Sequence, residues 1–284
     1  MKNLPWLPAL LLAVLLPTLS HAQTAAESLA QVKKLSEQGN HREAADLGKA
    51  ALAKPDATGE LLEATVIALG KLDEDREAAD VVELAVKAHP LKWDVLVSAG
   101  KAFSPNEVMY LVDRSFDPAM QLEHSGRVLD GRFYRGNSAN GGEYKSVKLR
   151  DRVRSIQLHV AAWDLVKLEG TKIQKVVVLC ALHNSFLAGQ DLSSPTALLA
   201  LTDISKLPDY DDQSGLDEPS KGYPVDENGD LIFFKAASTW ETAKNDGERL
   251  LWINHALSEL NPSDTDEIMS RAEMAAGWFS LIVT

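Results

Sequence analysis

The sequence predicts a mainly α-helical protein, in which an array of helical hairpins precedes a second helical domain with a small β-hairpin. Three observations support this fold class. A pentapeptide recurs unchanged near the N-terminus, an apolar stripe at helical spacing begins at Leu149, and a short apolar run follows the turn sequence Asn228-Gly229. With 45% hydrophobic and 25% charged residues, the composition is that of an ordinary globular protein.

The repeat lies in the first third of the chain. The segment Arg42–Asp46 recurs as Arg76–Asp80, an offset of 34 residues, and Pro55 and Pro90 close the two units. Each unit is predicted to be two antiparallel helices, with Gly39 at the first turn. Small residues stand where the paired helices would cross closely; these are Ala44, Ala51, Ala78 and Ala85.

This pattern resembles tetratricopeptide repeats over residues 24–90, since 34 residues is the length of that repeat. Val32 and Val66 stand where the family prefers glycine. A third, shortened unit is predicted to begin near Trp93 and to end at Asp117-Pro118. Its second helix would start at Ser104, so the array is predicted to span residues 23–118.

The resemblance implies a function, because stacked helix pairs form a concave face that commonly binds peptide segments. By position, four charged residues are predicted to lie on that face and to contact a protein partner. They are Lys33, Glu37, Glu63 and Lys71. The alternative is that they are solvated charges on a scaffold helix.

The N-terminus has the pattern of a secretory signal peptide. Lys2 precedes an apolar core over Leu4–Leu19, and Ser20-His21-Ala22 offers a cleavage site after Ala22. The core carries three prolines and is shorter than the ~20 residues of a spanning helix. We therefore expect removal of residues 1–22, a periplasmic or secreted product and no membrane insertion afterwards. The alternative is an uncleaved anchor.

Residues 119–146 are glycine-rich and predict a linker with a short β element, including a strand over residues 131–135. Residues 147–284 predict a helical domain. Its apolar stripe begins at Leu149, and further helices are expected from Ile173, from Ser194-Pro195 to about Ser205, from the capping sequence at Ser238, and from Ser263 to the last residues.

Charge is unevenly distributed in this second half. Residues 127–154 hold eight bases and three acids, whereas the loop 209–230 holds eight acids and one base. We expect the two segments to face each other, with Arg150 and Arg154 contributing. Residues 207–236 are predicted to hold this acidic loop and a hairpin that turns at Asn228-Gly229. The alternative is that the loop binds calcium and makes the chain a metal-dependent enzyme or binding module.

Several phrases are similar to the N-terminal region that precedes the macroglobulin domains in large bacterial alpha-2-macroglobulin-family proteins. They are Arg150–Arg154, Leu201–Tyr210, Pro224–Gly229 and Ala243–Arg249. Fuller members of that family trap proteases through a Cys–Gln thioester. The thioester motif does not occur here, so the resemblance implies only the helical N-terminal part of a protease-inhibitor protein. The alternative is a remnant of a truncated gene.

Catalytic motifs are not found in the sequence. The single cysteine, Cys180, excludes a disulfide within the chain, and the formal net charge of -12 argues against nucleic-acid binding. We therefore predict no catalytic, cofactor-binding or metal-binding residues. The most consistent function is an exported, non-enzymatic scaffold whose partner is a protein or peptide.

Overall fold

The computed structural model describes residues 23–104, 118–136, 141–187, 198–210, 225–230 and 234–260. Over these residues the chain forms eight α-helices and a three-stranded antiparallel sheet, which confirms the mainly helical class. The helices are α1 Ala25–Glu37, α2 His41–Leu52, α3 Gly59–Gly70, α4 Asp75–Ala88, α5 Trp93–Phe103, α6 Lys148–Val166, α7 Lys172–Leu187 and α8 Asp246–Leu260.

Helices α1, α3 and α5 start at equal intervals along the chain. Helices α1, α3 and α5 begin at Ala25, Gly59 and Trp93, each 34 residues after the one before. Thr24 and Thr58 precede α1 and α3, and each side chain accepts a hydrogen bond from the backbone N–H three residues further on. The same local chemistry therefore starts the first two hairpins.

The two copies of the pentapeptide occupy the same places in α2 and α4, from the second to the sixth residue of each helix. Both helices follow a residue with positive φ, Gly39 at 80° and Asp73 at 57°. Glycine and aspartate tolerate this left-handed conformation better than most residues. Ala44 and Ala78 are both buried.

Close helix packing depends on small residues at the crossings. A Cβ atom built on Gly48 of α2 would lie 2.1 Å from Oγ1 of Thr65 in α3, so only glycine fits there without a shift. Thr65 Oγ1 in turn donates a hydrogen bond of 2.6 Å to the Leu61 carbonyl. The close approach of α2 to α3 therefore depends on the absence of a side chain at Gly48.

The sheet lies at the N-terminal end of α4. Its strands are β1 Ser125–Leu129, β2 Arg132–Arg135 and β3 Glu143–Ser146, in the order β2-β1-β3. Positive φ angles at Asp130 and Gly131 form the two-residue turn between β1 and β2. The strand predicted over residues 131–135 is present as β2.

The second half of the chain packs directly on the first. Helix α6 packs on α5 and α7, and α7 packs on α8. Ala162 and Val166 of α6, with Val178 of α7, join the apolar core of the first five helices. A second apolar core, around Phe186 and Ile253, lies between α6, α7 and α8.

Two predicted helices differ from the structure. The helix expected from Ser238 is a short 3₁₀ turn over Trp240–Thr242, and α8 begins only at Asp246. The reason is a second cap, because the Asn245 side chain accepts the Glu248 N–H at 2.8 Å. Residues 201–204, expected in a helix, are not helical, since Thr202 is held by hydrogen bonds to Asp246.

The hairpin predicted within residues 207–236 is described only in part. Its turn is present, since Gly229 has a φ of 86° and the Asp226 N–H donates to the Asp230 carbonyl at 2.8 Å. Several expectations fall outside the described residues: the signal peptide over 1–22, the second helix of the third unit over 105–117, most of the acidic loop over 211–224, and the last helix over 261–284.

Replacement of Gly48 by alanine tests the close approach of α2 and α3. We expect a loss of about 1–3 kcal/mol in the free energy of unfolding, because the new methyl group overlaps the Thr65 side chain. In a Thr65→Ala background the same replacement should cost less, since the two nearest atoms are gone. Urea unfolding of the four proteins measures both costs, and equal costs would contradict the packing.

Candidate interaction surface

Helices α1, α3 and α5 leave one solvent-facing surface between them. Helix α1 packs on α3, and α3 packs on α5. Along α3, the less buried positions recur at helical spacing, which aligns them on a single face. We name this the α1–α3–α5 surface; it comprises Lys33, Glu37, Glu60, Glu63, Ile67, Lys71 and Lys101.

Glu63 is the best-held charged residue of this surface. Its Oε1 accepts hydrogen bonds from Ser98 Oγ at 2.8 Å and from Lys101 Nζ at 3.1 Å, both on α5. The Glu63 side chain is 22% exposed and that of Lys101 is 16% exposed. Glu63 therefore joins α3 to α5 as well as facing solvent.

The other three predicted binding residues are more open to solvent. Lys33 and Glu37 lie one turn apart on α1, and Lys71 is exposed just after the end of α3. Lys33 Nζ lies 3.8 Å from Glu60 Oε2, with side chains 57% and 70% exposed, so this pair contributes little to stability. The four predicted binding residues are thus all at least partly exposed to solvent on the α1–α3–α5 surface. The carboxylate of Glu63 is bonded to side chains of α5.

Sequence reasoning missed Glu60, Ile67 and Lys101 as members of the surface. Glu60, Glu63, Ile67 and Lys71 follow helical spacing, so the stripe along α3 could have been found from periodicity. Lys101 could not, because its place depends on how α5 packs against α3.

Three buried polar clusters were also missed. The first contains His159, which is fully buried between α5, α6 and α7. Its Nδ1 lies 2.7 Å from Ser185 Oγ and its Nε2 lies 3.2 Å from the Val97 carbonyl oxygen. Ser185 Oγ is 2.8 Å from Ser155 Oγ, which donates to the Gly100 carbonyl at 2.7 Å.

A serine beside a histidine can serve as a nucleophile and a base, but this pair is closed to solvent. Both Ser185 and His159 are 0% exposed, so a substrate cannot reach them in this conformation. Burial is the main reason that the pKa of His159 falls from 6.5 to about 4; the hydrogen bond with the Val97 carbonyl opposes this fall, and the charge of Lys101 adds to it. The cluster is therefore neutral near pH 7 and joins three helices.

The second cluster ties the sheet to α6. Asp151 accepts two hydrogen bonds from Arg135, of 2.6 and 2.9 Å, and its Oδ2 lies 2.8 Å from His124 Nδ1. Burial opposes ionisation of Asp151, but His124 and Arg135 outweigh it, so the pKa of this carboxyl lies below its ordinary value. The planar pairing of guanidinium and carboxylate fixes β2 against the first turn of α6.

The third cluster joins α6, α8 and residue 202. Asp246 Oδ1 accepts the Thr202 N–H at 3.0 Å, and its Oδ2 lies 3.5 Å from Arg152 NH2. Arg249 NH1 donates to the Thr202 carbonyl at 2.9 Å. Burial lowers the pKa of both arginines, and the nearby Asp246 carboxylate counters this. Burial and coupling to the fold favour a structural role.

Of the predicted contact between the basic segment and the acidic loop, the described residues show only Arg150 beside Pro208 and Tyr210, neither of which is an acid. Arg150 NH1 donates to the Pro208 carbonyl at 2.6 Å, and its guanidinium lies 5.3 Å from the centre of the Tyr210 ring. Arg154 instead pairs with Glu83 of α4, at 2.6 and 2.8 Å. Residues 211–224 of the loop lie outside the described part of the chain.

Metal binding finds no support in the described ranges. They hold no group of three or more His, Cys, Asp or Glu side chains that could bind an ion. In the turn at Asp226, Oδ1 accepts the N–H groups of Asn228 and Asp230 at 2.8 and 3.0 Å. These hydrogen bonds lower the pKa of Asp226.

Comparisons with protein-family models, with curated proteins and with solved structures found no match to the chain. The two resemblances noted in the sequence therefore remain predictions. Among the helices in the described ranges, none has the length and apolar character to span a bilayer.

The protonation of His159 predicts how stability depends on pH. In the unfolded chain His159 binds a proton as pH falls through 6.5, whereas in the folded chain it binds one only near pH 4. The free energy of unfolding should therefore fall by about 3 kcal/mol across this window. Burial also lowers the pKa of His183 to about 4. His183 should therefore add a further decrease in the free energy of unfolding over the same pH range.

His159→Gln should remove one of these two contributions. Chemical unfolding at pH 7, 5.5 and 4 should show that the free energy of unfolding decreases less with falling pH in the variant than in the original protein. This comparison holds even if the variant is less stable at pH 7. An unchanged slope would show that His159 titrates normally in the folded chain.

Removal of the Asp151 carboxylate should be strongly destabilising. Asp151→Ala leaves Arg135 buried without its counter-charge, which costs about 3–5 kcal/mol. The matched control is Asp46→Ala, because Asp46 also pairs with a base but is 59% exposed, and its removal should cost much less. Thermal and urea unfolding measure both, and similar costs would contradict this account.

Proposed function

We propose that the protein is an exported, non-enzymatic scaffold of tetratricopeptide-like helical hairpins that binds a protein or peptide through the α1–α3–α5 surface. The observation that carries the proposal is the equal spacing of helix starts at Ala25, Gly59 and Trp93. Equally spaced hairpins place the same helix face side by side, and such arrays bind extended partners along that face.

The chemistry of the surface supports a polar, extended partner. It offers three lysines and three glutamates, with the apolar side chain of Ile67 between them. Mixed charges on neighbouring helices can pair with charged side chains of a peptide while Ile67 contacts an apolar one. Export rests on the signal-peptide pattern over residues 1–22, and the relation to alpha-2-macroglobulin-family proteins rests on sequence phrases alone.

Site-specific photo-crosslinking tests the proposal. A photoreactive amino acid at Lys33 or Glu60 reports on the α1–α3–α5 surface, and the same amino acid at Asp46 or Asp80 reports on α2 and α4. All four residues are exposed helical positions, so they form a matched set. We expect discrete adducts with envelope proteins from Lys33 and Glu60 that are absent from the control positions.

A result that would overturn the proposal is the same adduct pattern at all four positions, or adducts from Asp46 and Asp80 alone. Addition of unlabelled protein should compete for the specific adducts. A charge variant, Glu60→Lys, should weaken them without loss of stability, because the Glu60 side chain is 70% exposed.

A further inference from the structure

The buried cluster of His159, Ser155 and Ser185 forms a continuous series of four contacts that begins and ends on α5. His159 Nε2 lies 3.2 Å from the Val97 carbonyl oxygen, and His159 Nδ1 lies 2.7 Å from Ser185 Oγ. Ser185 Oγ lies 2.8 Å from Ser155 Oγ, which donates to the Gly100 carbonyl at 2.7 Å. Both ends of the series are carbonyl oxygens, which accept hydrogen bonds and never donate them.

The cluster holds fewer protons than contacts while His159 is neutral. Each of the two serine hydroxyls carries one proton and a neutral imidazole carries one N–H, so three protons serve four contacts. A second N–H on the imidazole would supply the fourth proton. One of the four contacts therefore lacks a proton in the neutral cluster, and the geometry indicates which one.

The last turn of α5 fixes the direction of the hydrogen bonds at the serine end. Gly100 is among the last four residues of α5, whose carbonyls lack a helical partner, and the Ser104 N–H donates to a different carbonyl. Ser155 therefore gives its proton to Gly100. Ser185 then donates to Ser155 at 2.8 Å rather than to the Ala181 carbonyl, because that alternative acceptor is farther away, at 3.1 Å.

The one proton of the neutral imidazole then lies on Nδ1. Because the Ser185 hydroxyl points to Ser155, Ser185 Oγ accepts from His159 Nδ1 at 2.7 Å. Nε2 is left with a lone pair that faces the Val97 carbonyl oxygen, and two acceptors that face each other repel. This contact is the longest of the four, at 3.2 Å, as expected for the contact that lacks a proton.

We propose that Nε2 of His159 is a binding site for one proton, whose occupation adds a hydrogen bond between α6 and α5 while the fold is retained. The imidazolium donates from both ring nitrogens, to Ser185 and to Val97, so all four contacts then carry a proton. The added bond joins the two halves of the chain. The cluster is therefore a pH-dependent clamp at their junction.

Charged and titratable groups come near the site from several helices. Lys101 of α5 opposes the protonation of His159, and Lys101 is itself paired with Glu63 of α3 at 3.1 Å. Burial lowers the pKa of His159 to about 4, so the site takes up its proton only in acid. The other such groups on the helices of this junction are Arg152 of α6, which pairs with Asp246 of α8, and His183 of α7.

Two-bond ¹H–¹⁵N NMR correlations of the imidazole ring test the site in the original protein. At pH 7 we expect a proton on Nδ1 of His159 and none on Nε2. As pH falls through about 4, Nε2 should gain a proton while the resonances of the folded chain persist. A proton on Nε2 at pH 7 would overturn the proposal, and so would unfolding of the chain as His159 titrates.

The variant Ser155→Ala tests the proton count without touching His159. Two contacts and two protons then remain, because Ser185 can donate to Nδ1 and Nε2 can donate to Val97. The neutral proton should therefore move from Nδ1 to Nε2 at pH 7. Ser104→Ala is the matched control. Ser104 is also 0% exposed, and its hydroxyl has no hydrogen-bond partner in the described part of the chain, so the proton should stay on Nδ1.

A proton that stays on Nδ1 in folded Ser155→Ala would overturn the proposal, and so would a proton that moves to Nε2 in Ser104→Ala. The measurement on the original protein decides the case if Ser155→Ala does not fold.

Discussion

The burial of α5 from several sides is the constraint on which the rest of the structure depends. Helix α5 is packed by α3 and α4 from the repeated hairpins and by α6 and α7 from the second half. Gly100 makes this possible, since a Cβ atom there would lie 2.3 Å from His159 Nε2. The absence of a side chain lets His159 reach the Val97 carbonyl, and Ser155 donates to the Gly100 carbonyl nearby. The two halves of the chain therefore meet through polar contacts inside an apolar core.

The two copies of the pentapeptide have the same sequence, but their arginines have different partners in the structure. Arg42 pairs with Glu74 and Glu77 of the next hairpin, at 2.6 and 2.9 Å. Arg76, its equivalent, lies 4.7 Å from the centre of the Tyr134 ring in β2. The sheet thus supplies the contact to Arg76 that the start of α4 supplies to Arg42. Among the described residues, it is the sheet that covers the end of the hairpin array at this place.

The parts of the fold that could be predicted are those with a local signal. The 34-residue offset indicated equivalent helices, and α5 begins at Trp93, where the third unit is predicted. Strand β3 carries no such signal, because it pairs with β1 only beyond the intervening β2. Strand β1 could have been found, since Asp130-Gly131 forms a two-residue turn between it and β2. The start of α8 was missed because two capping sequences compete within seven residues, Ser238 and Asn245.

The partners of the arginines of α6 could not be predicted for a similar reason. Arg150, Arg152 and Arg154 alternate along α6 and looked alike in the sequence, but they reach Pro208, Asp246 and Glu83 respectively. These partners come from three different parts of the chain, so periodicity cannot assign them. On the candidate surface, by contrast, helical spacing was enough to propose Lys33, Glu37, Glu63 and Lys71. The same spacing along α3 could have added Glu60 and Ile67, whereas the place of Lys101 depends on how α5 packs.

Native-state hydrogen exchange tests most directly the claim that α5 unites the two halves. If it does, the amides of α5 should be the most protected in the chain, and those of α3 and α6 should open together with them in a single cooperative event as denaturant is raised. Separate opening of α3 and α6 at different free energies, with α5 no better protected than α1, would contradict the account.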